Sequence, residues 1–155
     1  MLDDVNPQEI APKLFFAAMV NSGQVQNRMQ FEKVQPIIED ARQHGQVLAG
    51  GKPHQGKGFF IHPTVVSGLP DSARLACEEQ FGPVMPVLKY SSIDEVITRA
   101  NASEYGLGAT VWVNKHLDLP PSVPYGGTKQ SGYGVEMGQL GLEEFTQMWI
   151  VNIAL

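Results

Sequence analysis

Glycine and proline are the residues that most constrain the fold of this 155-residue chain. It contains 16 Gly and 11 Pro, which concentrate in the stretches 45–58, 120–127 and 132–141. Because both residues interrupt helices and strands, the regular elements between these stretches have to be short. No interior linker is polar enough to separate two parts, so we predict a single domain over residues 1–155.

Two helices are predicted in the first third of the chain. Residues 8–20 carry apolar residues at helical spacing, and Pro12 is expected in the first turn of this helix. Asn27 is predicted to cap a second helix that ends at Gly45, while Pro36 should kink this helix or delay its start. Its predicted apolar stripe consists of Phe31, Val34, Ile38 and Ala41.

The third predicted helix and five short strands complete the pattern. Ser92 and Glu95 form a capping box that predicts the start of the helix. Its predicted buried face consists of Ile93, Val96, Ile97 and Ala100. Short runs rich in Val, Ile and aromatic residues predict strands at 46–49, 59–66, 85–90, 109–113 and 148–154. Because helices and strands alternate, we predict an α/β fold with a mostly parallel sheet flanked by helices.

Composition and charge exclude several kinds of partner. The net charge of −5 offers no electrostatic footprint for nucleic acid. The longest apolar run, 14–20, is too short to span a membrane. The single cysteine, Cys77, cannot form an intramolecular disulfide, and the N-terminus lacks a signal-peptide pattern. We therefore predict a cytoplasmic protein that binds neither nucleic acid nor a membrane.

Most of the chemically reactive side chains do not form a recognisable site. The histidines at 44, 54, 62 and 116 are scattered without metal-ligand spacing, so we predict no metal site. The carboxylates that follow Cys77 disfavour a thiolate, so we interpret this residue as a buried structural thiol rather than a nucleophile. The glycines at 132, 134 and 138 are a weak match to a dinucleotide-binding loop, because no strand leads into them.

The pair Glu78 and Glu79, followed closely by Phe81, leaves two interpretations open. Adjacent residues of an extended segment point to opposite sides, so at most one carboxylate faces a given pocket. Such a carboxylate can accept hydrogen bonds from both hydroxyls of a ribose, and the phenyl ring can support a flat ring. The alternative is a solvated acidic turn closed by Gly82 and Pro83, which composition alone favours.

Four longer motifs resemble the aldehyde dehydrogenase superfamily and occur in that family's order. They are GKGFFIHPTVV at 56–66, EEQFGPV at 78–84, VWVNKHLDL at 111–119 and PYGGTKQSGYGVEMG at 124–138. The resemblance covers nearly the whole chain. It implies an enzyme that oxidises an aldehyde to a carboxylic acid with NAD or NADP. In that family a cysteine attacks the carbonyl, and a glutamate-activated water hydrolyses the resulting thioester.

The resemblance assigns roles to individual positions of this chain. It implies that Glu79 holds the nicotinamide ribose and that Phe81 packs beside the nicotinamide. Asn114 and the residues after it are implied to line the entrance for the aldehyde. The segment 145–154 resembles the strand through which members of the family oligomerise, so self-association is expected.

The sequence departs from the family pattern at two internal joins. The family's nucleophilic cysteine follows the stretch that matches 21–24, and the corresponding position here is Gln26, so no catalytic nucleophile is expected. The next motif begins at once, as if a deletion started at the nucleophile. Within 106–114 two family strands are merged into one, which leaves no room for the crossover of a dozen or more residues that a parallel pair needs.

These departures predict a shortened catalytic-type domain. The family motifs for the dinucleotide-binding half and the general base lie upstream of the matched region. We therefore expect the chain to be inactive alone and not to bind NAD or NADP tightly; the alternative is a non-catalytic scaffold or oligomerisation module. The sequence determines neither the aldehyde specificity nor the preference between NAD and NADP. Without new packing, the deletions would expose Ile37, Val65 or Trp112.

Overall fold

The structure is a computed structural model that describes residues 5–19, 25–52, 54, 56–106 and 120–153. It divides into two compact units, Met1–Arg99 and Ala100–Leu155. The single domain over 1–155 remains a prediction. The predicted strand at 109–113 lies outside the described residues, as do Trp112 and Asn114.

Helix α1 covers Pro7–Met19, close to the predicted 8–20. It begins at Pro7, where the proline ring already fixes a helical φ and the absent N–H would be unpaired. The Asn6 side chain accepts a hydrogen bond from the Gln8 N–H at 3.1 Å. Because the helix starts this early, Pro12 lies inside it, and the prediction that Pro12 occupies the first turn is wrong.

Helix α2 covers Arg28–His44 and has the predicted ends. Asn27 Oδ1 accepts the Gln30 N–H at 2.9 Å, and the Gly45 N–H donates to Ala41 O at 2.9 Å. The helix continues through Pro36 and starts directly after its cap, so the predicted delay is wrong. Within the predicted stripe Phe31 is half-buried, and the buried residues of α2 are Val34, Ile37, Ile38 and Ala41.

A three-stranded sheet forms the centre of the first unit. It consists of β1 (Gln46–Ala49), β2 (Thr64–Ser67) and β3 (Val84–Val87) in the order β1-β2-β3, with the short helix α3 (Arg74–Cys77) between β2 and β3. β1 and β2 are antiparallel, and β2 and β3 are parallel. The predicted α/β class is confirmed, while the described strands form a mixed sheet. Both predicted strands 59–66 and 85–90 are shorter than expected.

The sheet is covered by a helix on each face. Val65 and Val66 of the central strand β2 are both fully buried, and successive residues of a strand point to opposite faces. Val66 packs in one apolar cluster with Ile37 of α2, and α1 contacts β1 and β2. Ile37 and Val65, which the sequence analysis expected to be exposed unless new packing covered them, are thus buried in the packing of the helices on the sheet.

Helix α4 covers Ile93–Asn101 and confirms the capping box but not the buried face. The Ser92 Oγ accepts the Glu95 N–H at 3.2 Å, and the Glu95 carboxylate accepts the Ser91 N–H at 2.9 Å. Ile93 and Ile97 are 69% and 51% exposed. No residue of this helix is buried, and its Arg99 makes hydrogen bonds to Asp71 and to the carbonyl oxygen of Lys89.

Arg99 makes the main polar connection between α4 and the rest of the first unit. Its Nε donates to Asp71 Oδ2 at 2.8 Å, its Nη2 donates to Asp71 Oδ1, and its Nη1 donates to Glu95 Oε1 at 2.9 Å. The hydrogen bonds from Arg99 hold the pKa of Asp71 below its ordinary value of 3.8. The turn that carries Asp71 is thereby tied to α4.

The variant Arg99→Gln is expected to raise the pKa of Asp71 toward its ordinary value. A carboxyl pKa that is lower in the folded than in the unfolded state stabilises the folded protein fully above the unfolded pKa, and this stabilisation is lost as the pH falls through the folded pKa. The free energy of unfolding should therefore be larger for the wild type than for the variant at about pH 6, and the difference should disappear at about pH 2. Urea unfolding at both pH values and NMR titration of the Asp71 carboxyl measure this. Arg28→Gln, an exposed arginine on α2, is the control, and an equal effect of both variants would contradict the assignment.

The second unit contains two short antiparallel strand pairs and a helix. β4 (Tyr105–Gly106) pairs with β6 (Thr128–Lys129), and β5 (Tyr125–Gly126) pairs with β7 (Val135–Glu136). The helix α5 covers Gly138–Glu143.

The C-terminal segment of the second unit has no regular structure. Residues 146–153 form neither helix nor strand and are exposed, so the strand predicted at 148–154 is not observed over its described part, 148–153. A strand requires a neighbour to satisfy its backbone, and none of the described strands pairs with this segment.

Among the helices that the structure describes, none has the length and apolarity to cross a bilayer.

Candidate functional site

The two predicted cofactor residues lie in a segment that α2 holds by its main chain. This segment, Glu79 to Gly82, is called the 79–82 loop below. Lys33 Nζ donates to the carbonyl oxygen of Glu79 at 3.0 Å. Gln30 Nε2 donates to the carbonyl oxygens of Gln80 and Phe81, the latter at 3.2 Å. Two side chains of one helix therefore fix three successive peptide units of the loop.

The end of the 79–82 loop packs directly against α2 and β2. A Cβ placed on Gly82 would lie 2.8 Å from Val34 Cγ2, closer than real contacts allow. Glycine is thus required for this approach of the backbone to the helix. The next residue, Pro83, is fully buried, and its carbonyl oxygen accepts the Thr64 N–H at 2.8 Å. The loop is anchored from both sides.

The side chains of Glu79 and Phe81 extend from this anchored backbone into solvent. Phe81 is 75% exposed and has φ +47°, a left-handed conformation that costs a non-glycine residue on the order of 1 kcal/mol. An exposed phenyl ring in a strained backbone conformation is typical of a binding position rather than of a packing position.

The two adjacent carboxylates have different surroundings. Glu78 pairs with Arg74 Nε at 2.7 Å, and hydrogen bonding by that guanidinium lowers the pKa of Glu78. Glu79 is exposed, and within the described ranges its carboxylate makes no ion pair. Only Glu79 thus has a carboxylate available to accept hydrogen bonds from a ligand.

Gln26, the position that the resemblance assigns to the family's nucleophile, lies at the end of α2 that also carries Gln30. Val25 is buried, and its N–H donates to the carbonyl oxygen of Phe59 at 3.2 Å. Gln26 follows it, is exposed, and stands directly before the helix cap Asn27. Gln30, which holds the 79–82 loop, lies about one helical turn further on. A side-chain amide at position 26 offers no thiolate for attack on a carbonyl.

The structure also places the cysteine and two of the histidines that the sequence analysis considered. Cys77 is exposed and its Sγ donates to the carbonyl oxygen of Asp71 at 3.0 Å. The prediction of a buried thiol is therefore wrong, because α3 ends at this residue on the surface. His54 and His62 have ring centroids 5.7 Å apart. No group of three or more metal-ligating side chains occurs in the part of the chain that the structure describes.

Gln30 and Lys33 are functional candidates that sequence reasoning missed. Their spacing of three residues places them on one face of α2, next to Val34. Polar residues in the first turns of a helix are usually solvated, so this spacing alone does not indicate a contact fifty residues away. Phe31 and Val34, two neighbours in the predicted apolar stripe, are the sequence signal that this face is turned inward.

The variant Gln30→Ala is expected to loosen the 79–82 loop without unfolding the protein. Two side chain-to-backbone hydrogen bonds of about 1 kcal/mol each are lost. The combined loss of about 2 kcal/mol should lower the exchange protection of the amides of residues 80–82 and 84 by about thirtyfold. Native-state hydrogen exchange measures this, with Glu32→Ala, an exposed residue of the same helix, as the control. An equal loss of protection in both variants would contradict the assignment.

Comparison with known proteins identifies the family. The model described as "Aldehyde dehydrogenase family" matches residues 15–116 and 108–151. The two matches overlap at 108–116, which shares residues 108–114 with the region where two family strands are predicted to be merged. The chain therefore belongs to the aldehyde dehydrogenase family.

Individual relatives agree with this assignment, and their chains are longer than this one. Aldehyde dehydrogenase 1A1 of Oryctolagus cuniculus is 38% identical over 90% of this chain and 32% of its own length. Aldehyde dehydrogenase, cytosolic 2, of Macroscelides proboscideus is 38% identical over 88% of this chain and 65% of its own length. The NAD+ complex of an aldehyde dehydrogenase from Bacillus cereus has a TM-score of 0.68 and 36% identity, covering 81% of this chain and 30% of that chain. This chain thus spans about a third of the first and third relatives.

Proposed function

We propose that this chain presents the nicotinamide-ribose contact of an NAD(P)-dependent aldehyde dehydrogenase but does not itself carry out the covalent step. The observation that carries the proposal is the 79–82 loop, which Gln30 and Lys33 hold from α2 while Glu79 and Phe81 stay exposed. Because the chain belongs to the aldehyde dehydrogenase family, NAD or NADP is the ligand that we expect this loop to contact.

The described residues fit one end of the cofactor. Glu79 provides a carboxylate for the two ribose hydroxyls, and Phe81 provides an apolar face beside the nicotinamide ring. When bound, NAD or NADP accepts the hydride that leaves the aldehyde carbon. Because this loop touches only the nicotinamide riboside, we expect weak binding, with a dissociation constant on the order of 1 mM or higher.

The covalent step requires a group that position 26 lacks. In the family reaction a thiolate adds to the aldehyde carbonyl, and the adduct loses a hydride to become a thioester. An amide nitrogen is not nucleophilic, so Gln26 does not form this adduct. The overlap of the two family matches at 108–116 supports the merged strands, which would alter the region that includes Asn114 in the implied aldehyde entrance. We therefore propose an inactive isolated chain.

A titration with NAD+ tests the cofactor contact. We expect saturable NMR shifts of the amides at 79–82 in the wild type and their loss in Glu79→Gln. Glu78→Gln is the matched control, because the neighbouring carboxylate is already paired with Arg74. No shift at 79–82 up to about 50 mM NAD+, well above the expected dissociation constant, or equal loss in both variants, would refute the contact.

A second candidate function is self-association through the C-terminal segment. The apolar residues of this segment are 76–94% exposed: Phe145, Met148, Trp149, Ile150, Val151 and Ile153. A contiguous apolar segment of this kind is a candidate interface rather than a stable surface. We propose that it pairs between copies of this chain, as the resemblance implies for 145–154. Since one relative is named as cytosolic, we propose that this chain is cytoplasmic.

A further inference from the structure

A half-open surface cavity of about 320 Å³ lies beside α2, on a different side from the 79–82 loop. Its α2 residues include Gln35, Ile38 and Arg42, which recur at spacings of three and four and so share one side of the helix. Gln30, Lys33 and Val34 point about a third of a turn away, since each residue advances about 100°. The cavity is thus separate from the candidate cofactor contact.

The lining of this cavity combines apolar side chains, two cations, the carboxylate of Glu39 and the amide of Gln35. Pro36, Ile38 and Ile61 provide the apolar part. Arg42 and Lys52 provide two cations, although the chain as a whole has a net charge of −5. The volume lies at the lower end of the range of small-molecule sites, which bury most of a ligand against apolar groups and orient it with a few polar ones.

The guanidinium of Arg42 is held at the cavity by its neighbours. Its Nη1 donates to the carbonyl oxygen of Gly51 at 3.2 Å and lies 3.6 Å from the Glu39 carboxylate. An arginine has five N–H donors, so these two contacts leave others for a ligand. Lys52 makes no ion pair with any residue that the structure describes. The two cations and one carboxylate leave a local charge of about +1.

We propose that this cavity binds a small carboxylate that carries a short apolar tail. The carboxylate is recognised by Arg42 and Lys52, and the tail lies against Ile38 and Ile61. An inorganic anion would satisfy the cations but leave the apolar part unused, and an amine would be repelled by them. The chemistry of the lining therefore selects an amphiphilic monocarboxylate. This inference is independent of the NAD(P) contact.

The first test compares three probes on the whole chain. Hexanoate has both features of the ligand, hexylamine has the tail with the opposite charge, and acetate has the carboxylate without the tail. We expect hexanoate to cause saturable NMR shifts at 35–42 and 51–61, with binding at least about tenfold tighter than that of either other probe. Equal binding of hexanoate and hexylamine, or no saturable shift with hexanoate, would overturn the proposal.

The second test uses variants at the two cations. Arg42→Gln and Lys52→Gln are each expected to weaken hexanoate binding by about fivefold, the upper range for an exposed ion pair. Lys57→Gln, an exposed lysine outside the cavity, is the matched control and should bind hexanoate like the wild type. The thermal unfolding of each variant shows that it is folded. A loss in Lys57→Gln as large as in the other two would show general charge attraction and overturn the proposal.

Discussion

Replacing Ile37 with alanine is expected to lower the free energy of unfolding by about 2–5 kcal/mol. The Ile37 side chain is fully buried in the cluster that joins α2 to the sheet. Truncation removes apolar contacts and leaves a cavity that a packed interior fills only in part. Alanine is itself a good helix former, so the loss would come from packing rather than from helix propensity. Equilibrium unfolding in urea measures the change.

Glu32→Ala is the control for this prediction. Glu32 is an exposed residue of the same helix, and surface substitutions of this kind change stability by about 0.5 kcal/mol or less. If Ile37→Ala costs less than about 1 kcal/mol, the packing of α2 on β2 is not what stabilises the first unit.

The double variant Trp149→Ser/Ile150→Asp is expected to weaken self-association by at least about tenfold. Both side chains are more than 80% exposed, and buried aromatic residues carry much of the energy of protein interfaces. A carboxylate would have to be desolvated in any interface that covers position 150. Sedimentation velocity over a range of concentrations measures the change in oligomeric state.

The same variant should leave the unfolding temperature of the dissociated chain unchanged, because both side chains are more than 80% exposed and contribute little packing within the chain. Met29→Ser is the matched control, since Met29 is a 75% exposed apolar residue of α2. If Met29→Ser disrupts association as strongly, association is general hydrophobic adhesion. If the wild type is monomeric at all concentrations, the C-terminal interface is refuted.

Local sequence signals predicted helix ends better than they predicted burial. Asn27 and Gly45 mark the ends of α2 because each acts through its own backbone neighbourhood. The capping box at Ser92 likewise marked α4. The exposure of Ile93 and Ile97 depends instead on which element lies opposite, and an amphipathic pattern does not carry that information.

Strand direction and strand length also depended on distant parts of the chain. β1 was predicted with its exact bounds, but whether it runs with or against β2 is decided by pairing, not by composition. The predicted terminal strand at 148–154 has the composition of a strand and lacks a partner within the described chain. The amino-acid composition of a segment indicates whether it can form a strand, whereas strand pairing depends on which other strand lies next to it in the fold.

The candidate residues of the site come from sequence motifs, whereas the contacts that hold them come from the tertiary structure. The motif proposes Glu79 and Phe81 as cofactor residues, which stays a prediction, and the role of Gly82 follows from its approach to Val34. The hydrogen bonds from Gln30 and Lys33 span about fifty residues. Polar side chains on a helix give no sign of such contacts until the fold is known.

The most direct test of the proposed function is the rate of NAD+ reduction by the purified chain with a short aliphatic or aromatic aldehyde. Absorbance of the reduced cofactor measures it, and a full-length family member serves as the positive control. Because loss of a catalytic nucleophile commonly costs several powers of ten in rate, we expect turnover lower by at least about 10⁴-fold. Sustained turnover that Cys77→Ser abolishes would contradict the proposal and identify Cys77 as a substitute nucleophile.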